Sequence, residues 1–149
     1  MACDSVKVIT MSITIILLLL GAGVLILPNL GGDDEDEVQS SESSNEILGG
    51  SGNDTVNGTS GNDLIRTFLG DDTIYGGDGN DEIRAGDGVD YVEGGEGLDF
   101  IPGGAGNDTI FRNEGNDRII SDRGDDYVDG GIGSDVIRGG DGNDTLLGG

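Results

Sequence analysis

The stretch GGDGNDEIR, residues 76–84, carries glycine at its first, second and fourth positions, aspartate at its sixth and isoleucine at its eighth. The same frame runs in both directions without insertion or deletion, giving eleven consecutive nonapeptides from Gly49 to Leu147. Position four is glycine in every unit, from Gly52 to Gly142. Position six is aspartate in every unit: Asp54, Asp63, Asp72, Asp81, Asp90, Asp99, Asp108, Asp117, Asp126, Asp135 and Asp144. Position eight is always aliphatic, from Val56 to Leu146, so the unit reads GGxGxDxUx with U aliphatic.

Glycine at positions one, two and four permits positive φ and close backbone approach, as a tight turn requires. An aliphatic residue between two variable ones suits a short strand. Each unit is therefore expected to be a turn followed by a strand. A three-residue strand does not persist alone, so the units must stack as a parallel solenoid in which each turn covers the last.

Charge sets the second requirement. Residues 49–149 hold 22 Asp and Glu against six Arg, a net charge of −16 within a chain of net charge −23. A core of eleven aliphatic side chains is thin, and this charge repels itself when the chain is compact. The pattern calls for bound cations. Calcium fits, because it takes six to eight hard oxygen ligands in flexible geometry, and a glycine-rich turn ending in aspartate offers a carboxylate and backbone carbonyls. Magnesium would demand a stricter octahedron.

The repeat resembles that of the RTX family, the hemolysin-type calcium-binding nonapeptide proteins, over about two thirds of the chain. The resemblance implies an all-β parallel β-roll, a right-handed β-solenoid in which two nonapeptides make one turn and alternate units belong to opposite sheets. Eleven units then make five and a half turns. It also implies that each Ca2+ ion sits between stacked turns, bound by aspartates eighteen residues apart. One edge would hold Asp54, Asp72, Asp90, Asp108, Asp126 and Asp144, and the other Asp63, Asp81, Asp99, Asp117 and Asp135. Six loops leave five gaps and five leave four, so at most nine ions bind. Nine ions bring +18 against −16, which makes metal binding and folding one event, with the metal-free chain disordered.

The sites are not expected to be equal. The glycine pair at positions one and two is replaced by Thr67 and Phe68, by Arg112 and Asn113, and by Ser121 and Asp122, while Thr59 and Ala85 each replace one glycine. Weaker or empty sites are expected beside those units; ordinary backbone angles at those positions would leave binding little changed.

Val8 to Leu27 contains no charged residue and ends at Pro28. Twenty helical residues span about 30 Å, the hydrocarbon core, which favours a transmembrane helix or uncleaved signal anchor within residues 1–30. The alternative is a cleaved secretory signal, with Lys7 before an apolar core from Ile13 to Leu20 and Gly21 and Gly23 as an A-x-A-like site. Lys7 before the helix and the acidic run Asp33 to Glu37 after it place the repeats outside the cytoplasm. Residues 31–48 read as an acidic, Ser- and Gly-rich disordered linker, with Asn45 to Leu48 either a cap on the first strand or the linker's end. The repeats occupy 49–149 and stop where a twelfth unit would begin, whereas family members secreted by the type I route usually end in a non-repetitive signal. Export through the N-terminal segment, or a truncated member, would account for that.

Other functions are disfavoured. No histidine is present to serve zinc or a nucleophile relay, and Cys3 stands alone, so no disulfide framework exists. The turns lack the lysine of a phosphate loop, and so acidic a chain repels nucleic acid. Six units carry Asn at position five without a partnering Thr row at position three, which argues against ice binding. The six aromatic side chains all lie off the aliphatic row, which suggests packing at strand margins. The expectation is a non-enzymatic, extracytoplasmic calcium-binding roll, anchored to the membrane by its N-terminal helix. A secreted form, or a fragment of a larger RTX toxin, adhesin or enzyme, is the alternative.

Overall fold

The structure, a computed structural model, describes the backbone of residues Val24–Ile26 and Glu37–Gln39 and the whole of residues 46–149. The described residues form fourteen strands: β1 (Val24–Ile26), β2 (Glu37–Gln39), β3 (Glu46–Ser51), β4 (Thr55–Asn57), β5 (Leu64–Leu69), β6 (Thr73–Asp78), β7 (Glu82–Asp87), β8 (Tyr91–Glu96), β9 (Phe100–Ala105), β10 (Thr109–Phe111), β11 (Arg118–Arg123), β12 (Tyr127–Asp129), β13 (Val136–Asp141) and β14 (Thr145–Leu147). Odd-numbered strands make one seven-stranded sheet and even-numbered strands the other, all neighbours parallel. The chain thus winds as an all-β parallel solenoid of about six turns.

Register follows the repeat. Ile47 lies beside Ile65 and Ile65 beside Ile83 in one sheet, and Val56 beside Ile74 and Ile74 beside Val92 in the other, each eighteen residues apart. Seven strands at about 4.8 Å give a roll roughly 29 Å long. Position eight fills the space between the sheets: Ile47, Val56, Ile65, Ile74, Ile83, Val92, Ile101, Ile110, Ile119 and Val128 are fully buried. The row opens at its end, where Ile137 is partly buried and Leu146 is 43% exposed.

The roll starts earlier than the repeat register suggested. Val24–Ile26, the end of the apolar stretch expected to be helical, forms β1 and pairs with β3, with Leu25 beside Ile47. The remainder of Val8 to Leu27 lies outside the described residues. The described residues contain no helix, and so none long and apolar enough to cross a membrane. Within the segment read as disordered linker, Glu37–Gln39 forms β2 and places Val38 beside Val56. The physical reason lies in the repeat itself: Gly31, Gly32, Asp36 and Val38 occupy positions one, two, six and eight of one further, degenerate unit. Its strand satisfies backbone groups that the edge of β4 would otherwise leave unpaired.

Four of the six aromatic side chains pack with one another. Tyr75, Tyr91, Phe111 and Tyr127 cross the outer face of the even-numbered sheet with successive ring centroids 6.2, 5.7 and 5.7 Å apart. On the other sheet the Arg118 guanidinium lies 5.2 Å from the Phe100 ring centre. Such contacts add about 0.5–1.5 kcal/mol each to sheet packing.

Candidate metal centre: two columns of buried aspartates

Each position-six aspartate ends a turn and immediately precedes a strand, so its side chain enters the roll just beside the aliphatic row. The structure gathers the eleven into the two series expected from their spacing, one along each edge. From Asp72 onward, Oδ1 of each accepts a hydrogen bond from the backbone N–H of the aspartate one turn earlier, as in Asp54 N–H to Asp72 at 2.8 Å and Asp63 N–H to Asp81 at 2.8 Å. The chain of bonds continues without a break through Asp90, Asp108, Asp126 and Asp144 on one edge and through Asp99, Asp117 and Asp135 on the other. Asp54 through Asp126 are at most 5% exposed; Asp135 and Asp144, at the open end, are half-buried.

The second oxygen is what distinguishes these carboxylates from ordinary structural ones. Oδ2 of Asp81, Asp90, Asp99, Asp108, Asp117, Asp126 and Asp135 is buried with no hydrogen-bond donor. A buried anionic oxygen without a partner is costly unless a cation or a proton supplies one. Burial accordingly pushes the Asp81 and Asp90 carboxyls up to about 7 and Asp108 to about 6, and raises Asp72 and Asp99. The backbone N–H donor on each opposes the rise, and for Asp81, Asp90 and Asp108 the next aspartate in the column adds to it.

Glycine at position one keeps the space in front of Oδ2 open. A Cβ on Gly76 would sit 2.7 Å from Asp81 Oδ2, and one on Gly103 2.8 Å from Asp108 Oδ2. Glycine at position four has a different cause: Gly106 has φ 139°, and a Cβ there would overlap the carbonyl oxygen of Gly88 in the turn below. The donor set thus consists of paired carboxylate oxygens surrounded by turn backbone. Among the described residues no three acidic side chains converge, so a hard cation here would draw its remaining oxygens from backbone carbonyls and water. The orphaned Oδ2 atoms and the open glycine space fit calcium well.

The replaced glycines fall into distinct groups. Thr67 and Ser121, at position one, are buried and donate to the carbonyls of Ala85 at 2.7 Å and Gly139 at 2.8 Å. Phe68 and Asp122, at position two, adopt φ of 74° and 72°, so a side chain there carries the strain that glycine avoids elsewhere. Thr59 and Asn113 keep ordinary φ. Thr59 also donates from its backbone N–H and its hydroxyl to Asp63 Oδ2, at 2.7 and 2.9 Å. Loss of glycine is therefore conformationally free at two position-two sites and strained at two others.

Two features escaped sequence reasoning. Position five builds an outer ladder: the Oδ1 of Asn53 accepts from Asp71 N–H, Asn62 from Asn80 N–H and Asp71 from Val89 N–H, each within 2.9 Å. The recurrence of Asn or Asp at that position was the available signal. The other is Arg112, which is 2% exposed inside the roll, where its Nη1 lies 2.6 Å from Asp117 Oδ1.

A family model of the RTX calcium-binding nonapeptide repeat matches residues 30–65, 66–101, 85–119, 94–128 and 120–149, which together run from residue 30 to the last residue described. No curated protein and no solved structure matches the chain. The matched span begins at residue 30, ahead of the degenerate unit that supplies β2, and takes in both aspartate columns. With its repeats matched from end to end, the chain belongs to the family of RTX calcium-binding nonapeptide repeat proteins.

Proposed function

We propose that the roll binds calcium through the two aspartate columns and folds as it does so, outside the cytoplasm and without catalytic activity of its own. The observation that carries this reading is the row of buried Oδ2 atoms without donors, repeated on every turn from Asp81 to Asp135. The ligands are Asp54, Asp63, Asp72, Asp81, Asp90, Asp99, Asp108, Asp117, Asp126, Asp135 and Asp144, with adjacent members of a column sharing one ion. Calcium supplies the positive charge that lets these carboxylates stay ionised in a buried setting; the chain supplies a fixed sequence spacing, glycine-lined space and backbone oxygens. Extracellular modules of this kind work at about 10⁻⁴–10⁻³ M calcium, far above cytosolic levels.

In this reading the uncharged stretch ahead of β1, Val8 to Gly23, holds the protein at the membrane, with the roll as a calcium-gated contact module. A second reading, secretion after cleavage, gains support from one observation: β1 begins at Val24, directly after the A-x-A-like residues Gly21 and Gly23. A helix from Val8 to Gly23 would have sixteen uncharged residues, about 24 Å, short of the roughly 30 Å hydrocarbon core. The intact mass of the mature protein separates the two. Equilibrium dialysis of the purified full chain against calcium and, separately, magnesium tests the central reading. Several calcium ions per chain with little magnesium uptake is expected; no calcium uptake at millimolar concentration overturns it.

A further inference from the structure

Arg112 stands where the repeat has its first glycine, in the turn that ends at Asp117. Position one faces the carboxylate of its own turn, and Arg112 follows that geometry. Its side chain and that of Asp117 are both fully buried, with Nη1 2.6 Å from Oδ1. Its Nε lies 3.3 Å from where a Cβ on Gly94 would be, a point itself 2.8 Å from Asp99 Oδ2. The guanidinium therefore occupies the interior between two stacked turns, among the carboxylates of Asp99 and Asp117, and its charge is felt at both Asp99 and Asp81. Its nitrogens have no aligned hydrogen-bond acceptor, and Oδ2 of Asp99 and of Asp117 has no donor. What it brings to this compartment is positive charge.

The structure assigns Arg112 as a built-in cation that takes the place of one calcium ion in the Asp63–Asp135 column. The inference rests on the calcium reading above. A divalent ion between Asp99 and Asp117 would have to share the space, at low local dielectric, with a fixed positive charge a few ångströms away. A cation carried by the chain itself cannot be washed out by a chelator. The column is thereby divided. Ions remain in the gaps Asp63/Asp81, Asp81/Asp99 and Asp117/Asp135, and the Asp99/Asp117 gap is held closed in the absence of metal. The turns carrying β8 to β11 become the part of the roll that needs calcium least. Thr67, Ala85 and Ser121, the other position-one replacements, lie on the opposite edge and bring no charge.

The test is native mass spectrometry of the full chain at saturating calcium, comparing wild type with Arg112→Gly and Arg112→Lys, with amide hydrogen exchange in chelator as a second readout. Arg112→Gly restores the position-one glycine and is expected to bind one more calcium ion than wild type, while protection of residues 91–123 in chelator is lost. Arg112→Lys keeps the charge and is expected to keep the wild-type count. An unchanged count in Arg112→Gly overturns the inference while leaving the calcium reading intact; a wild type that binds no calcium overturns both. Placing the charge elsewhere gives an independent check: Gly130→Arg, where a Cβ would lie 2.9 Å from Asp135 Oδ2 and no backbone atom comes closer than 3.3 Å, is expected to lose one ion, and full retention of the wild-type count also contradicts the assignment.

Discussion

The backbone N–H of Asp72 donates to Oδ1 of Asp90, eighteen residues ahead, at 2.9 Å, while Oδ2 of the same Asp90 carboxylate is buried with no donor. One oxygen serves the fold and the other awaits a cation, so two substitutions separate the roles. Asp90→Asn keeps an oxygen for the Asp72 N–H but removes the charge. Asp90→Ala removes both and leaves a buried N–H without an acceptor, at about 1–3 kcal/mol. Both variants are expected to lose the ions in the two gaps flanking Asp90 by calorimetry. Only Asp90→Ala is expected to show the additional loss of stability in thermal unfolding with calcium present.

The buried carboxyls also make the metal-free roll sensitive to pH. Asp81 and Asp90 rise from 3.8 to about 7, and Asp108 to about 6. Because these folded-state values lie above the unfolded value, folding without metal takes up protons. The stabilisation is fully present below 3.8 and is lost as pH rises through about 6 to 7. In chelator, β-structure measured by circular dichroism is therefore expected to be greater near pH 4 than at pH 8. Protons and calcium compete for the same oxygens, so the calcium midpoint should move to higher concentration as pH falls from about 8 to 6. A flat response across this range would mean that the columns do not titrate.

Two gaps in the outer ladder invite repair. Leu98 N–H donates to Asn80 and Val89 N–H to Asp71, but Val89 and Leu98 offer no side-chain oxygen to the turn above them. Both are more than half exposed. Val89→Asn and Leu98→Asn should each restore one bond, to the backbone N–H of Asn107 and Asn116 respectively. The expected gain is about 0.5–1 kcal/mol each, at the lower end because the sites are exposed. Thermal unfolding in saturating calcium measures it.

Asp122 carries φ of 72° at a position where other units place glycine. A side chain in the left-handed region costs roughly 1–2 kcal/mol, and glycine's greater freedom in the unfolded chain returns about 0.5–1 of that. Asp122→Gly is expected to raise stability by about 0.5–1 kcal/mol, and Phe68→Gly, at φ 74°, to act in the same direction. A lower calcium midpoint for folding is the readout.

The central architecture was legible because the repeat leaves few alternatives. Position eight supplies the only regular apolar row, so Ile65, Ile83 and their counterparts had to face inward. Aspartates at a fixed spacing of nine had to fall into two columns once two units made a turn. The N-terminal turn was obscured for a physical reason: Asp34 replaces the position-four glycine of its unit, and with Asp33, Glu35 and Asp36 it makes an acidic run that composition alone reads as linker. β1 breaks register as well, since Leu25 pairs with Ile47 across twenty-two residues where every later turn uses eighteen. The direction of Arg112 was hidden because only the turn geometry reveals that position one points at the aspartate of its own unit. The N–H to carboxylate bonds that string each column together depend on loop orientation, which residue spacing does not specify.

Far-UV circular dichroism of the full chain during calcium titration, with magnesium as the control, tests most directly whether the aspartate columns couple metal binding to folding. A cooperative rise in β-structure at about 10⁻⁴–10⁻³ M calcium, absent with magnesium, is the predicted result. A chain already fully β-structured in chelator at neutral pH, or one that stays coil in 10 mM calcium, would contradict it.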